Sequence, residues 1–170
     1  MKKNLIRILL LFLLIADMAF IFSNSAQSGS ASSSASKSVT EKVAPVVVPN
    51  YDKMTETEQK DAVLTLDGIV REAAHLLQFM PIGFSLYLLL RTFELSGKIR
   101  NATIPITLCF GLLYAVSDEL HQLLTPGRSF QLFDVFMDTC GVTIGCVGGL
   151  LTVLIIKAIR KNRETSSHSA

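Results

Sequence analysis

The sequence lacks several features on which common classes of protein function depend. Its 170 residues contain no tryptophan and only three cysteines, Cys109, Cys140 and Cys146. All three cysteines lie inside apolar runs, and an odd number of apolar thiols argues against a disulfide framework and a thiolate metal site. The sequence has no CxxC pair, no glycine-rich phosphate loop and no repeat of solenoid period. No basic stripe is interleaved with aromatic residues, so we expect no nucleic-acid partner.

Charged residues are also scarce, at 18% of the chain, whereas apolar residues make up 49%. The apolar residues fall into four blocks close to the roughly 17–25 residues that span a bilayer, at positions 5–22, 68–93, 102–124 and 130–157. A soluble core would show amphipathic stripes instead. We therefore predict an all-α, multipass membrane helical bundle with four transmembrane helices. The first block contains Asp17 and is longer than the apolar region of a signal peptide, so we expect a retained span.

These blocks divide the chain into four parts. Residues 1–22 are the first transmembrane span, residues 23–67 an external Ser-rich linker with a surface helix, residues 68–157 a core with three spans, and residues 158–170 a cytoplasmic basic tail. The last residues of the tail are Ser-rich, and we expect them to be disordered.

Local signals predict the form of the linker. Residues 23–38 are rich in Ser and Ala, with too few large apolar side chains to offset the entropy of ordering, and we expect a flexible segment. Prolines make residues 44–50 extended. Thr55 and Glu58 fit a capping box that would start a surface helix over residues 55–66. Asp67 then suits the N-cap of the next span.

Basic residues predict the orientation in the membrane. Lys2, Lys3 and Arg7 precede the first span, and further clusters follow the second span and the fourth. Because an even number of crossings separates these clusters, all three fall on one side, which the positive-inside rule assigns to the cytoplasm. We expect both termini in the cytoplasm and a polar site at the outer face.

That site is predicted from ionisable residues in and beside the spans, which are functional candidates because they are costly in a membrane. Arg71 and His75 share one face of the second span. Asp118, His121 and Gln122 share a face of the third, from which Glu119 points partly away. Pro126 and Gly127 form a turn. The predicted catalytic residues are Asp118, Glu119, His121, Arg128 and Asp134, and the predicted substrate-binding residues are Arg71, His75, Gln122 and Asp138.

This set could supply a general acid, a general base and anion clamps. Asp118, Asp134 and Asp138 could also hold a divalent cation, but no tight metal spacing is present and no metal site is expected. The sequence does not identify a cofactor. The alternative is structural: Arg71 could pair with a carboxylate to tie two spans together. Gly141 and Gly145, followed by Gly148 and Gly149, are interpreted as packing residues that allow close helix approach.

One motif covers the end of the third span, the turn and the start of the fourth: Tyr114-x-x-x-Asp118-Glu119-x-x-Gln122-x-x-x-Pro126-Gly127-Arg128-x-x-x-x-x-Asp134-x-x-x-Asp138-Thr139-x-Gly141. This pattern resembles the signature of the VanZ-like family. Arg71-x-x-x-His75, and Phe22-Ser23-x-Ser25-x-Gln27-Ser28, are similar to two weaker motifs of that family. The resemblance covers nearly the whole chain.

The resemblance implies a bacterial inner-membrane protein with a role in the cell envelope and, for some members, low-level tolerance of teicoplanin. It supplies no agreed reaction. We therefore keep three hypotheses: an envelope protein that weakens glycopeptide access, a membrane-embedded enzyme acting on a lipid-linked phosphate or sugar, and a pure interaction module. The expected partners are the lipid bilayer and a lipid-linked wall precursor or a glycopeptide.

Overall fold

The computed structural model describes residues 2–93 and 97–168. Within these ranges the chain is helical and contains no strand. The helices are α1 (Lys2–Ser25), α2 (Gly29–Val47), α3 (Glu56–Thr92), α4 (Gly97–Asn101), α5 (Thr103–Gln122) and α6 (Leu132–His168), with a 3₁₀ turn at Tyr51–Lys53.

Four of the described helices are long and apolar enough to cross a membrane, and they confirm the predicted four-span, all-α fold. The candidate spans are Lys3–Ser25, Glu56–Thr92, Thr103–Gln122 and Leu132–Thr165. A helix satisfies its own backbone hydrogen bonds, which is why helical segments can pass through hydrocarbon. Large apolar side chains such as Phe12, Leu113 and Leu154 are exposed on the outside of the bundle, as expected for surfaces that face lipid.

The closest helix packing joins α3 and α6 through glycines. A methyl group added at Gly141 would overlap the backbone carbonyl of Leu76, and one at Gly145 would overlap that of Met80. Conversely, a methyl group at Gly83 of α3 would overlap backbone atoms of α6. The prediction that glycines of the fourth span permit close approach is therefore confirmed for Gly141 and Gly145, but not for Gly148, where an added Cβ would only contact the Phe84 side chain at 3.6 Å.

The Ser-rich segment is a helix, so the prediction of a flexible linker was wrong. Ser28 caps α2 by accepting a hydrogen bond from the backbone N–H of Ala31 at 3.3 Å. Ser36 and Thr40 both donate to Asp67 Oδ1, at 2.7 and 3.1 Å. Asp67 therefore lies within α3 and joins two helices, and its predicted role as an N-cap was also wrong.

Helix α3 begins as predicted but does not stop where predicted. The Thr55 side chain accepts from the Glu58 N–H, and the Glu58 carboxylate accepts from the Thr55 N–H at 2.8 Å. From this capping box one helix continues to Thr92, so the surface helix and the second span are a single element.

Pro45 lies inside α2, not in the extended segment predicted for residues 44–50. The basic tail is helical to His168, which corrects the expectation of disorder; residues 169–170 lie outside the described range.

The bundle has two chemically different ends. Arg7 of α1 donates to the Thr92 carbonyl at 2.8 Å, and its guanidinium lies 4.5 Å from the ring centroid of Phe93. The start of α1 therefore meets the end of α3, and two of the three basic clusters share one end of the bundle. The predicted polar residues lie at the opposite end.

Candidate functional site

The polar end is built around the turn between α5 and α6. Pro126 follows α5, and Gly127 adopts φ +76°, a conformation that glycine reaches without steric cost. The N–H of Gly29, the first residue of α2, donates to the Pro126 carbonyl at 3.0 Å. A methyl group at Gly29 would overlap the Gly127 backbone. The two glycines therefore allow the start of α2 to lie directly against the turn.

Side chains strengthen this contact between the turn and the segment that links α1 to α2. Thr125 Oγ1 donates to the Ser25 carbonyl at 3.3 Å, and Arg128 Nε donates to the Gln27 carbonyl at 3.3 Å. The two segments that resembled separate family motifs are thus one unit.

Asp118 is the centre of a buried hydrogen-bond network beside that unit. The Ser25 hydroxyl lies 2.7 and 2.8 Å from its two carboxylate oxygens. The Gln122 amide donates to Asp118 Oδ2 at 3.0 Å and accepts from Arg128 at 2.8 Å. Asp118 and Gln122 are buried, so this network fixes Arg128 relative to α1 and α5.

A second cluster joins α3 to α6. His75 Nδ1 lies 3.1 Å from Asp138 Oδ1, and His75 Nε2 lies 3.7 Å from Asp134 Oδ2. Arg71 Nη2 lies 3.4 Å from the same Asp134 oxygen. Asp134 and Asp138 are fully buried. The side chains predicted to converge from the second and fourth spans do so.

Glu119 belongs to this second cluster, so its side chain points away from Asp118 and Gln122, as expected, and towards α6. It is fully buried, and its Oε2 accepts from the Gln131 N–H at 2.8 Å. The Gln131 amide also donates to Asp134 Oδ2 at 3.3 Å. His75, Glu119 and Asp134 each have one atom able to coordinate a metal ion, and these three atoms lie within 4.8 Å of one another.

His121 lies apart from both networks. Its ring stacks on that of Phe22, with centroids 4.3 Å apart and an interplanar angle of 22°. It is absent from the linings of the two cavities described below. The structure therefore brings together the predicted site residues with the exception of His121.

Two cavities open beside the clusters. The larger has a volume of about 280 Å³ and lies between the end of α1, α2, α3 and α5. Its wall combines apolar side chains such as Ile21, Val39 and Val70 with His75 and Asp118. The smaller, about 180 Å³, lies between α2 and the turn. The wall of the larger cavity is therefore amphipathic, whereas the smaller is lined by polar residues and glycines.

Arg71 and Arg128 line both cavities. Partial burial, and then the positive charge of Arg71, lower the pKa of Arg128 below its ordinary value, although an arginine stays cationic in proteins. The Arg71 side chain is 37% exposed, and so remains accessible. Two neighbouring guanidinium groups at an open cavity favour an anion that bridges them.

Some residues of the site were not predicted. Ser25 and Gln131 hold Asp118 and Glu119, and Asn24 donates to Gln78 at 3.2 Å across α1 and α3. Ser25 stood within a motif, so a signal existed; Gln131 contributes a backbone N–H, for which the sequence carries no signal.

Four candidate membrane spans and a buried ionisable cluster at one end of the bundle define a multipass helical membrane protein with a polar site. The model of the VanZ/LLP1 family matches residues 10–157. The chain belongs to this family. Comparisons with curated proteins and with solved structures give no match.

Proposed function

We propose that this protein acts in a bacterial cell envelope, where its polar site at the outer face binds the anionic head group of a lipid-linked wall precursor. Binding of the protein to that precursor would lower the access of glycopeptides to it and give low-level tolerance of teicoplanin. The observation that carries this proposal is the pair Arg71 and Arg128 at two adjoining cavities.

The contacts of these arginines support anion binding. Arg71 contacts one carboxylate oxygen at 3.4 Å, which is long for a charge-assisted hydrogen bond. The guanidinium of Arg128 donates to neutral oxygens of Gln122 and Gln27. A phosphate could therefore accept from both guanidinium groups, while the apolar wall accommodates the first part of a lipid chain.

The position of the basic residues supports an outward-facing site. Arg7 lies beside Thr92 at the end of the bundle opposite the cavities. If the positive-inside rule holds for this chain, that end is cytoplasmic and the cavities open outside. Lipid-linked wall precursors and glycopeptides meet on that outer side.

Teicoplanin susceptibility of a sensitive bacterial host tests the proposal. We expect wild-type protein to raise the inhibitory concentration at least about fourfold, and Arg71→Ala or Arg128→Ala to abolish the increase because each removes an anion contact. Lys42→Ala is the matched control, since Lys42 is an exposed cation on α2 outside the two cavity linings. Immunoblots of membranes must show equal amounts of each protein.

Protection by wild type and Lys42→Ala, with loss in both arginine variants, would support the proposal. Equal protection by all four proteins would contradict it, because the arginines would then be structural. If wild type gives no protection, glycopeptide tolerance is not a function of this protein.

A second candidate function is a membrane-embedded enzyme acting on a lipid-linked phosphate or sugar. The geometry of His75 favours it, because Asp138 orients the ring and the ring lines the larger cavity. Such an arrangement suits a general base. Turnover of a lipid phosphate by purified protein with a bell-shaped pH dependence would identify an enzyme; a lipid recovered unchanged would support a binding protein.

A further inference from the structure

We propose that His75, Glu119 and Asp134 form a binding site for a divalent first-row transition-metal cation, beside the larger cavity, whose wall includes His75. These residues show no metal-binding spacing along the chain because they come from three helices: His75 from α3, Glu119 from α5 and Asp134 from α6. The site depends only on this cluster, and would exist whether or not the protein binds a lipid phosphate.

The distances suit a cation held between the three side chains. One ligand-type atom of each residue lies within 4.8 Å of those of the other two, and His75 Nε2 is already 3.7 Å from Asp134 Oδ2. Ligands bound tetrahedrally to Zn²⁺ at about 2.0–2.2 Å lie about 3.4 Å apart. Binding would therefore draw the three side chains together by about 1 Å, within the reach of small side-chain rotations.

The two carboxylates are positioned in a way typical of metal ligands. Glu119 Oε2 is held by the Gln131 N–H, and Asp134 Oδ2 by Arg71 and the Gln131 amide. The second oxygen of each, Glu119 Oε1 and Asp134 Oδ1, is buried and has no hydrogen-bond partner within residues 2–93 and 97–168. A buried carboxylate oxygen without a partner is costly. Both residues are fully buried, so a cation coordinated by these two carboxylates would offset the cost of their unpartnered oxygens.

His75 is oriented for the same role. Its Nδ1 lies 3.1 Å from Asp138 Oδ1, a contact that places the ring proton on Nδ1 when the imidazole is neutral. The Nε2 lone pair then faces Asp134. A metal-bound histidine almost always donates its other ring N–H to such an acceptor, which fixes both tautomer and ring orientation.

The balance of charge also favours a cation. The cluster contains three carboxylates, those of Glu119, Asp134 and Asp138. Among the described residues, Arg71 is the arginine that contacts them. Buried carboxylates that lack cations are strongly disfavoured. One imidazole and two carboxylates bind first-row transition-metal cations such as Zn²⁺ and Mn²⁺, whereas Ca²⁺ requires six or more oxygens.

Calorimetric titration of chelator-treated, detergent-purified protein with Zn²⁺ and with Mn²⁺ tests the site. We expect about one ion per chain for wild type. Each of His75→Gln, Glu119→Gln and Asp134→Asn should weaken binding on the order of 100-fold, and Asp138→Asn about 10–100-fold through loss of the ring orientation. The amide of Glu119→Gln can still accept from Gln131, so this variant should keep the fold.

Two matched controls separate the site from unspecific binding. His121→Gln removes a histidine that stacks on Phe22 outside the cluster, and Asp67→Asn removes a carboxylate that joins α2 to α3. Both should bind the ion as wild type does. Helical circular dichroism and the elution volume identify any variant that is misfolded.

Three results would overturn the metal site. The first is the absence of Zn²⁺ and Mn²⁺ binding by folded wild-type protein, and the second is unchanged binding in the folded variants of the three ligands. The third is an equal loss in His121→Gln, which would indicate adventitious binding to histidines.

Discussion

Asp118 shows how much of the polar end depends on one carboxylate. It is buried, and it accepts hydrogen bonds from Ser25 of α1 and from Gln122 of its own helix. Gln122 in turn accepts from Arg128. One side chain therefore connects the end of α1, the end of α5 and the turn that follows.

Asp118→Ala should lower the free energy of unfolding by about 2–4 kcal/mol, because the hydroxyl of Ser25 and the amide of Gln122 lose a buried acceptor at about 1–3 kcal/mol each. The midpoint of thermal unfolding in detergent measures the effect. Ser117→Ala is the control, since Ser117 is exposed and its hydroxyl bonds only locally, to the Tyr114 carbonyl. Equal midpoints for the two variants would contradict the role given to Asp118.

Residue-level reasoning predicted the correct helix end but placed His121 in the site, where the structure does not. The helical face shared by Asp118, His121 and Gln122 enters the buried network through Asp118 and Gln122 only. The structure turns the helix so that Glu119 meets α6, while Phe22 of α1 covers His121. The angle between two side chains follows from helix geometry, but the identity of the neighbouring helix does not.

At the scale of elements, the sequence predicted the four spans well and α2 poorly. Apolar blocks reveal spans because a bilayer demands about 20 apolar residues. The first half of helix α2 is mostly Ser and Ala, and this composition predicted a flexible segment. Its order comes instead from hydroxyl groups bonded to Asp67 and from small residues, Thr40 and Ala44, that fit fully buried against neighbours. Composition records neither kind of contact.

The α3–α6 contact predicts opposite outcomes for the same substitution at two glycines of one helix. Gly145→Ala places a methyl group on the Met80 carbonyl, forces the helices apart and should destabilise the protein by about 1–3 kcal/mol. At Gly148 an added Cβ would lie 3.6 Å from the Phe84 side chain, an ordinary contact. Gly148→Ala should therefore be neutral or stabilise by up to about 1 kcal/mol through helix propensity.

Thermal unfolding of both glycine variants in detergent measures this difference, with wild type as the reference. If Gly145→Ala is as stable as Gly148→Ala, the two helices are not in backbone contact at this position.

At the scale of the whole molecule, the chain is a bundle with a polar, cavity-bearing end and a basic opposite end. The family match over residues 10–157 includes both ends. Hydropathy and charge were sufficient to predict the number of spans and to propose an orientation. They could not predict that α2 would form one wall of the larger cavity, because this depends on the close backbone contact between Gly29 and the turn at Gly127.

The central claim is that the cavity with Arg71 and Arg128 opens at the outer face, and cysteine labelling of whole cells tests it most directly. The three native cysteines are first replaced by alanine. Ser32→Cys then introduces a thiol where α2 lines both cavities, and Thr165→Cys introduces one near the exposed end of α6. We predict that a membrane-impermeant maleimide labels Ser32→Cys in intact cells and labels Thr165→Cys only after permeabilisation. Labelling of Thr165→Cys alone in intact cells would contradict the outward-facing site and the function proposed for it.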